Sequence, residues 1–402
     1  MVKSSPYCKE GSAIYFSRLK LSNFRNYVSL DLELEPGTII LRGDNGHGKS
    51  NLIEALYLLA IAKSPRASTD SEMVRSHGSI ETHTQIAGVV VRDNDEVHVQ
   101  VDLVADIVAS SDTVQTAPIK KQIRVNGISR RAPDLIGEIT AVMFSAQDLN
   151  IVFGSPAFRR KYLNVLISQI DARYLRELQI YQHVLHQRNQ LLKSARIGHS
   201  SPSELDYWDS QLVATGQYIL QRRMETVSKL ITMCDPIHKS LTTEEKIMDL
   251  IYVPSVNRNT QDSTLKDTFR ATIEGRRDQD IAAGFTTAGP HRDDLQIQLD
   301  GLDLNAYASR GQCRSIVLAM RLGEARYLSE SRMQEPVLLL DDVLSELDEM
   351  RRAKVLEYLR GYQQCFVTTS DLGAIESRFM ADMSIFTIRD GHAAPSETVF
   401  RD

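Results

Sequence analysis

The chain of 402 residues has only four cysteines, Cys8, Cys234, Cys313 and Cys365, widely scattered and with no C-x-x-C pair. That spacing excludes a disulfide framework and a zinc site and predicts reduced, mostly buried thiols. Long apolar runs are also lacking. The longest, Leu56 to Ala62, falls far short of the roughly 20 residues a membrane span needs. The N-terminus lacks the basic-then-apolar order of a signal peptide, so a cytoplasmic location is expected. Nor is there an excess of positive charge. A formal net charge of −5 rules out attraction of nucleic acid by the overall field and confines any DNA contact to local patches. The candidates are Lys120, Lys121, Arg124, Arg130 and Arg131 around a hairpin-like Val125 to Ile128, then Arg159 to Lys161, Arg222-Arg223, Arg276-Arg277 and Arg351-Arg352. Each also reads as a solvated helix or turn face.

What the chain does have is a complete G-x-x-x-x-G-K-[ST] phosphate loop, Gly43-Asp44-Asn45-Gly46-His47-Gly48-Lys49-Ser50. The apolar run Thr38 to Leu41 precedes it as a strand should. Asn51 to Leu59 follows it with apolar residues at helical spacing. Glycines let backbone N–H groups approach phosphates, and the helix N-terminus adds its dipole. Lys49 can reach the β and γ oxygens, and Ser50 can hold Mg²⁺. The bland alternative is a chance glycine turn. A second segment, Pro336 to Asp342, is a short apolar run ending in two acids, as a central parallel strand delivers carboxylates to its C-terminal edge. Asp341 is the candidate Mg²⁺ holder and Asp342 the candidate for orienting or deprotonating water. An acidic helix cap is the alternative.

The length predicts two domains, or one large domain with an insertion. Residues 1–12 are polar and breaker-rich and read as a mobile tail. Ile14 to Leu34 reads as two strands around Asn23 to Tyr27. Thr82 to Val91, Glu96 to Leu103 and Ile119 to Val125 complete a strand-rich lobe, with a flexible hairpin tip at Ala109 to Ala117. From Pro156 to Thr243 the pattern becomes helical. Tyr174, Leu178, Tyr181, Leu185, Arg188 and Leu192 form one seam; Leu205, Trp208, Leu212, Thr215 and Ile219, then Leu220, Met224, Val227, Ile231 and Cys234, form another. The short link at Gly198 to Pro202 predicts an antiparallel pair. The boundaries are thus 13–155 and 244–402 for the two parts of a nucleotide-binding head and 156–243 for an inserted helical domain, with head strands resuming at Ile247 to Val253.

A third motif, Ser309-Arg310-Gly311-Gln312, stands at the start of a helix, where free N–H groups and a hydroxyl could meet a phosphate. One chain already has its phosphate loop, so this segment is best explained by two protomers, each completing the other's nucleotide site; a plain N-cap is the alternative. Ser345 to Asp348 could cross the same interface. His291, between Pro290 and Arg292, has no second His or Cys at ligand spacing, which favours a structural or interface role over a metal.

The motifs in this order resemble those of the ABC-type ATPases of the chromosome-maintenance branch, and within it the RecF family of DNA replication and repair proteins. Supporting segments include Asn23 to Tyr27, the phosphate loop through Ala55, Phe144 to Leu149, Gln187 to Lys193, Trp208 to Leu212, Gly289 to Asp294 and Leu338 to Asp348. The resemblance implies an α/β fold: a P-loop ABC-type ATPase head with a mixed sheet, a strand-rich lobe and an inserted α-helical domain. It implies ATP and Mg²⁺ at Gly43 to Asn51, Asp341 on the metal and Asp342 as catalytic acid. Ser309, Gly311 and Gln312 would act in trans. Gln147 would be the Q-loop residue near Mg²⁺ or water, and Arg66 an arginine brought to the phosphates. It further implies an ATP-dependent homodimer gripping gapped or junction DNA, action in gap repair and the SOS response, and RecR and RecO as partners. Two departures stand out. Transporter ATPases place a His after the last core strand, where this chain has Thr368-Thr369-Ser370-Asp371, and their catalytic acid is commonly Glu rather than Asp. Both leave the water less well held and predict slow hydrolysis. The rival readings are a transport or defence ATPase that ignores DNA and a small-molecule kinase, for which no coupling region, acceptor pocket or lid is seen.

Overall fold

Strands apolar on both faces need cover on both sides, and the run Val337–Asp341 is of that kind, with Leu338, Leu339 and Leu340 fully buried. In the computed structural model, which describes residues 14–75, 83–93, 95–105, 107–110, 113–116, 119–243, 245–256, 264–304, 309–375 and 377–396, it is a central strand. The tail expected over residues 1–12 lies outside the described residues, as do Cys8, Tyr307 and Ala308. The six-stranded sheet runs Ala141–Ser145, Val337–Asp341, Gln364–Thr369, Gly37–Arg42, Met383–Arg389, His392–Pro395. All neighbours are parallel except the last pair. Register aligns Ser145 with Asp341 and Thr369 with Arg42, so the loops after these strands gather on one carboxyl edge, where open α/β sheets bind ligands.

The strand-rich lobe is a second six-stranded sheet, antiparallel throughout, in the order Tyr27–Glu33, Ile14–Phe24, His83–Arg92, Asp95–Val104, Lys120–Val125, Ile128–Arg130. The segment expected as a hairpin tip does pair, Ile107–Ser110 with Thr113–Thr116. Helix Lys49–Ile61 packs against strands of both large sheets, which is why ten of its thirteen residues are buried. Gly88 permits that approach: a Cβ there would stand 2.8 Å from Leu59 Cδ1.

The chain divides into two compact units, Met1–Gln147 with Ser240–Thr242 and Glu324–Asp402, and Asp148–Lys239 with Thr243–Gly323. In the second, helix Ala172–Arg196 runs antiparallel to helix Leu205–Leu241. At its start Asp171 and Tyr174 meet Tyr218, Arg222 and Arg223, and farther along Arg188 meets Asp209, so the partner numbers fall along the helix. Tyr174, Tyr181, Leu192, Leu205, Leu212, Ile219, Leu220, Val227 and Cys234 are buried along the two seams. Cys234, Cys313 and Cys365 are buried and form no disulfide. Gly216 permits a close approach, since a Cβ there would lie 2.5 Å from Phe269 Cε1 and 3.0 Å from Tyr181 Cε2. Gly216→Ala should therefore cost about 1–3 kcal/mol of stability by overpacking, read as a lower urea midpoint at unchanged slope.

One expectation is corrected. Strand Met248–Val253 does not resume the nucleotide-binding sheet; it pairs with Asp294–Leu299, which pairs with Leu302–Asp303, in a three-stranded antiparallel sheet of the second unit. Its burial shows why. Met248 and Leu250 are buried while Ile251 and Val253 are exposed, the pattern of a strand covered on one face.

Candidate nucleotide site

The loop Gly43–Gly48 is held by its surroundings rather than by itself. Gly43 N–H donates to Thr369 O (3.2 Å), Gly391 N–H and Asn26 Nδ2 donate to His47 O (3.2 and 2.9 Å), and Tyr27 Oη donates to Gly48 O (3.0 Å). Asp390 N–H donates to His47 Nδ1 at 3.0 Å, which fixes that ring. Glycine is required at two of these positions. A Cβ on Gly43 would stand 2.2 Å from Ile388 O; Gly48 has φ 114° and a Cβ there would meet Asn26 and Tyr27 below 3 Å. Gly48 is also the N-cap of helix Lys49–Ile61 and brings no side-chain cap, so the first helical N–H groups remain to serve an anion. Asp44 and Asn45 complete the loop, and Asp44 is open to solvent.

Lys49 Nζ donates to Gly43 O (2.6 Å) and Asp44 O (2.9 Å), leaving one of its three donors for a phosphate oxygen. Burial lowers its pKa, opposed by the carboxylates of Asp342, Asp341 and Asp44. Ser50 Oγ donates to Asp341 Oδ1 at 2.6 Å. Two hard oxygens at one point suit Mg²⁺, which takes one or two protein ligands and fills the rest with water and phosphate. Among the described residues no group of three or more His, Cys, Asp or Glu could form a metal cage, and this ion needs none.

Thr368 ties the two acids together. Its Oγ1 donates to Asp341 Oδ1 (3.1 Å) and accepts from Asp342 N–H (2.8 Å). Asp342 lies at φ 55°, a conformation uncommon outside glycine and concentrated at functional sites. Ser345 Oγ donates to its Oδ1 at 2.9 Å, which leaves Oδ2 of this exposed side chain open. Gln147 is exposed two residues beyond Ser145, the partner of Asp341 in register, and so follows the adjacent strand at the same edge. In the position of the transporter histidine, Thr369 Oγ1 donates to Asp371 O (2.8 Å).

Arg66 is drawn into a cage. Its Nη2 donates to Asn51 Oδ1 and to Glu54 Oε2, both 2.6 Å. Arg25 also grips Glu54 through two bonds of 2.9 and 2.7 Å, and Ser64 Oγ donates to it. Burial would raise the carboxyl pKa of Glu54, but these donors outweigh it and hold it below the usual range. Asn51 Nδ2 donates to Asn26 Oδ1 (2.7 Å), closing a chain of bonds back to the loop. The sequence reading missed Asn26, Tyr27, Glu54 and the bridging Thr368. Glu54 had a signal, a lone acid inside the apolar run Leu52 to Leu59.

The third motif lies in the other unit. Ser309 N–H donates to Gln312 Oε1 (3.1 Å) and Gln312 N–H to Ser309 Oγ (3.3 Å), a reciprocal cap on helix Arg310–Arg332. Ser309, Arg310 and Gly311 are exposed. Outside its chain neighbours and its own helix backbone, no described atom lies within 4 Å of a Cβ built on Gly311, so among the described residues no packing accounts for the missing side chain.

With this geometry in hand, kinship decides the class. A family model described as RecF/RecN/SMC N terminal domain matches residues 15–392. The DNA replication and repair protein RecF of Roseiflexus castenholzii is 37% identical over 395 residues, 95% of this chain and 100% of that protein. The chain belongs to the RecF family. A solved RecF structure, described as the recombination mediator protein RecF-ATP in the RecFOR pathway, superposes with a TM-score of 0.84 at 29% identity, covering 96% of this chain and 98% of the other. The Smc head domain of Pyrococcus furiosus is similar in fold, with a TM-score of 0.53 at 16% identity. The RecF-type architecture is thus an ABC-type ATPase head with a mixed sheet, a strand-rich lobe and an inserted helical region. No described helix is long and apolar enough to cross a membrane.

Proposed function

We propose that this chain is a DNA-repair ATPase in which two copies close around shared ATP, grip DNA at gaps and junctions, and let go on hydrolysis. Gly43 to Asn51 cradle the triphosphate, Ser50 and Asp341 hold Mg²⁺, and Asp342 orients the attacking water with Gln147 beside it. Arg66 supports the phosphates from the Glu54 cage. The neighbour supplies Ser309, Gly311 and Gln312. The observation that carries this reading is the exposed start of helix Arg310–Arg332, where Ser309 and Gln312 cap only each other and Ser309, Arg310 and Gly311 lie open to solvent and to a foreign anion. Nucleotide occupancy then sets the dimerisation equilibrium through contacts that exist only in the closed pair. Hydrolysis is slow, because Asp342 is one methylene shorter than Glu and no histidine follows the strand Gln364–Thr369. The same likeness supports roles in gap repair and the SOS response, with RecR and RecO as partners.

Sedimentation with and without ATP tests it. The unaltered chain and Asp342→Asn should both form dimers with ATP, the latter longer-lived. Lys49→Arg and Ser309→Arg should remain monomers. Should the Ser309→Arg protein dimerise like the unaltered one, the contact in trans is wrong. ATP turnover that ignores added DNA would instead favour a motor acting elsewhere.

A further inference from the structure

The segment 286–293 of the second unit is a loop fixed by buried polar groups. Pro290 O accepts from Arg223 (2.6 Å), Gly289 N–H donates to Ser255 Oγ (2.8 Å), and Thr286 Oγ1 accepts from Arg188 (2.7 Å). His291 is locked at both nitrogens, by Tyr181 Oη and Thr286 O, and burial pushes its pKa down to about 4, so it carries no charge near neutrality.

Around this loop the charges do not balance. Asp294 pairs with Arg159, and Asp280 and Asp209 share Arg188, with Arg277 also on Asp209. Asp293 accepts from Tyr252 and Ser255, and Arg223 bonds the same Tyr252. Among the described residues, three arginines here donate to main chain alone: Arg160 to Asp293 O (2.9 Å), Arg276 to Thr287 O (3.4 Å) and Arg292 to Thr286 O (3.2 Å), all carbonyls of this one loop. In the other basic patches Lys121, Arg124, Arg131, Arg222 and Arg351 each sit on a carboxylate. Arg160 is half-buried, and burial together with the charges of Arg223 and Arg292 presses its pKa down against the opposing pull of the Asp294 and Asp293 carboxylates. A guanidinium does not shed its proton, so what relieves such a grouping is an anion.

We propose that Arg160 and Arg292, flanked by Arg276, form a phosphate-oxyanion site that holds the phosphodiester backbone of DNA. This rests on the DNA reading above. The loop sets the guanidiniums in place before binding, and Arg292 Cζ stands over the exposed Phe285 ring, 4.8 Å from its centroid, with its Nη edge left to a phosphate.

The test is binding of a short DNA duplex across a salt series by the full-length protein and by the double variant Arg160→Gln/Arg292→Gln. Affinity should fall about tenfold or more and the slope of log K against log salt should become shallower by about 2, one for each lost phosphate contact. Arg160→Lys/Arg292→Lys should recover most of the slope. ATP-dependent dimerisation and Trp208 emission should be unchanged in both, which separates loss of the site from loss of fold. Unaltered DNA affinity and slope in the glutamine variant would overturn the site alone. No DNA binding by the unaltered chain would overturn the DNA reading with it. If inorganic phosphate or ATP binding at a second site is lost while DNA binding stays, the ligand is a free phosphate and the DNA assignment is wrong.

Discussion

Exchanging Asp341 for asparagine should lower ATP turnover roughly 10²- to 10³-fold while leaving nucleotide affinity within a few-fold of the original. The exchange keeps the shape of the side chain and an acceptor for Ser50 Oγ and Thr368 Oγ1, at 2.6 and 3.1 Å, so the edge of the sheet stays in register. What it removes is the negative charge. In the proposed site the pair of Ser50 and Asp341 would then attract a divalent ion much less, and such an ion would supply neutralisation of the charge on the phosphoryl group. Lys49 and the N–H groups after Gly48 are untouched, which is why binding survives. Phosphate release and titration with a fluorescent nucleotide measure the two quantities separately. A variant that retains more than about a third of its turnover would remove Asp341 from the proposed metal site; equal losses in turnover and affinity would mark it as a binding residue only.

The second large effect concerns stability. Arg188→Met should destabilise the second unit by about 3–5 kcal/mol, a large share of the 5–15 kcal/mol typical of a domain. Arg188 is fully buried, with Asp280, also fully buried, at 2.7 Å and Asp209 at 2.6 Å. Taking away the guanidinium leaves Asp280 Oδ2 buried without its cation, whereas Asp209 keeps Arg277 and suffers less. Thr286 loses its donor in the same step, so the loop that carries Arg292 loosens as well. Urea unfolding followed by the single tryptophan, Trp208, reports on this unit directly, because that residue lies one position from Asp209. A midpoint shifted by less than 1 kcal/mol equivalent would show the ion network to be replaceable by apolar packing, as buried pairs elsewhere can be.

The parts of the fold legible in the sequence are those written in local terms. Glycines at Gly43, Gly46 and Gly48, a β-branched run before them and a helix after them define a strand, loop and helix within residues 37–61. The structure builds them there. The two strands around Asn23 to Tyr27 and the helical seams were legible for the same reason, since period 2 and period 3.6 are properties of a short window. Partners distant in sequence were not legible. The seam through Arg188 contained the right residue without indicating that Asp280, 92 positions away, would neutralise it. Nothing local to Ile247–Val253 says which sheet it joins; only its one-sided burial against Asp294–Leu299 reveals that. Of the candidate site, the chemistry-bearing positions were readable and the fastenings were not. Thr368 was noted only as part of a stretch that lacks a histidine, while its hydroxyl in fact bridges Asp341 and Asp342. The basic patches were ambiguous because a string of residues does not record which arginine has already met an acid.

The bonds from Asn26 and Tyr27 to the carbonyls of His47 and Gly48 mean that the first turn of the antiparallel sheet and the floor of the phosphate cradle move as one piece. Linkage works in both directions: a force that tugs that turn must alter how firmly a triphosphate is seated, and seating one must stiffen the turn. Whatever docks along the outer strand Tyr27–Glu33 is therefore wired to the fuel gauge of the enzyme, and a protein that presses there could set the clock of hydrolysis without ever reaching the chemistry.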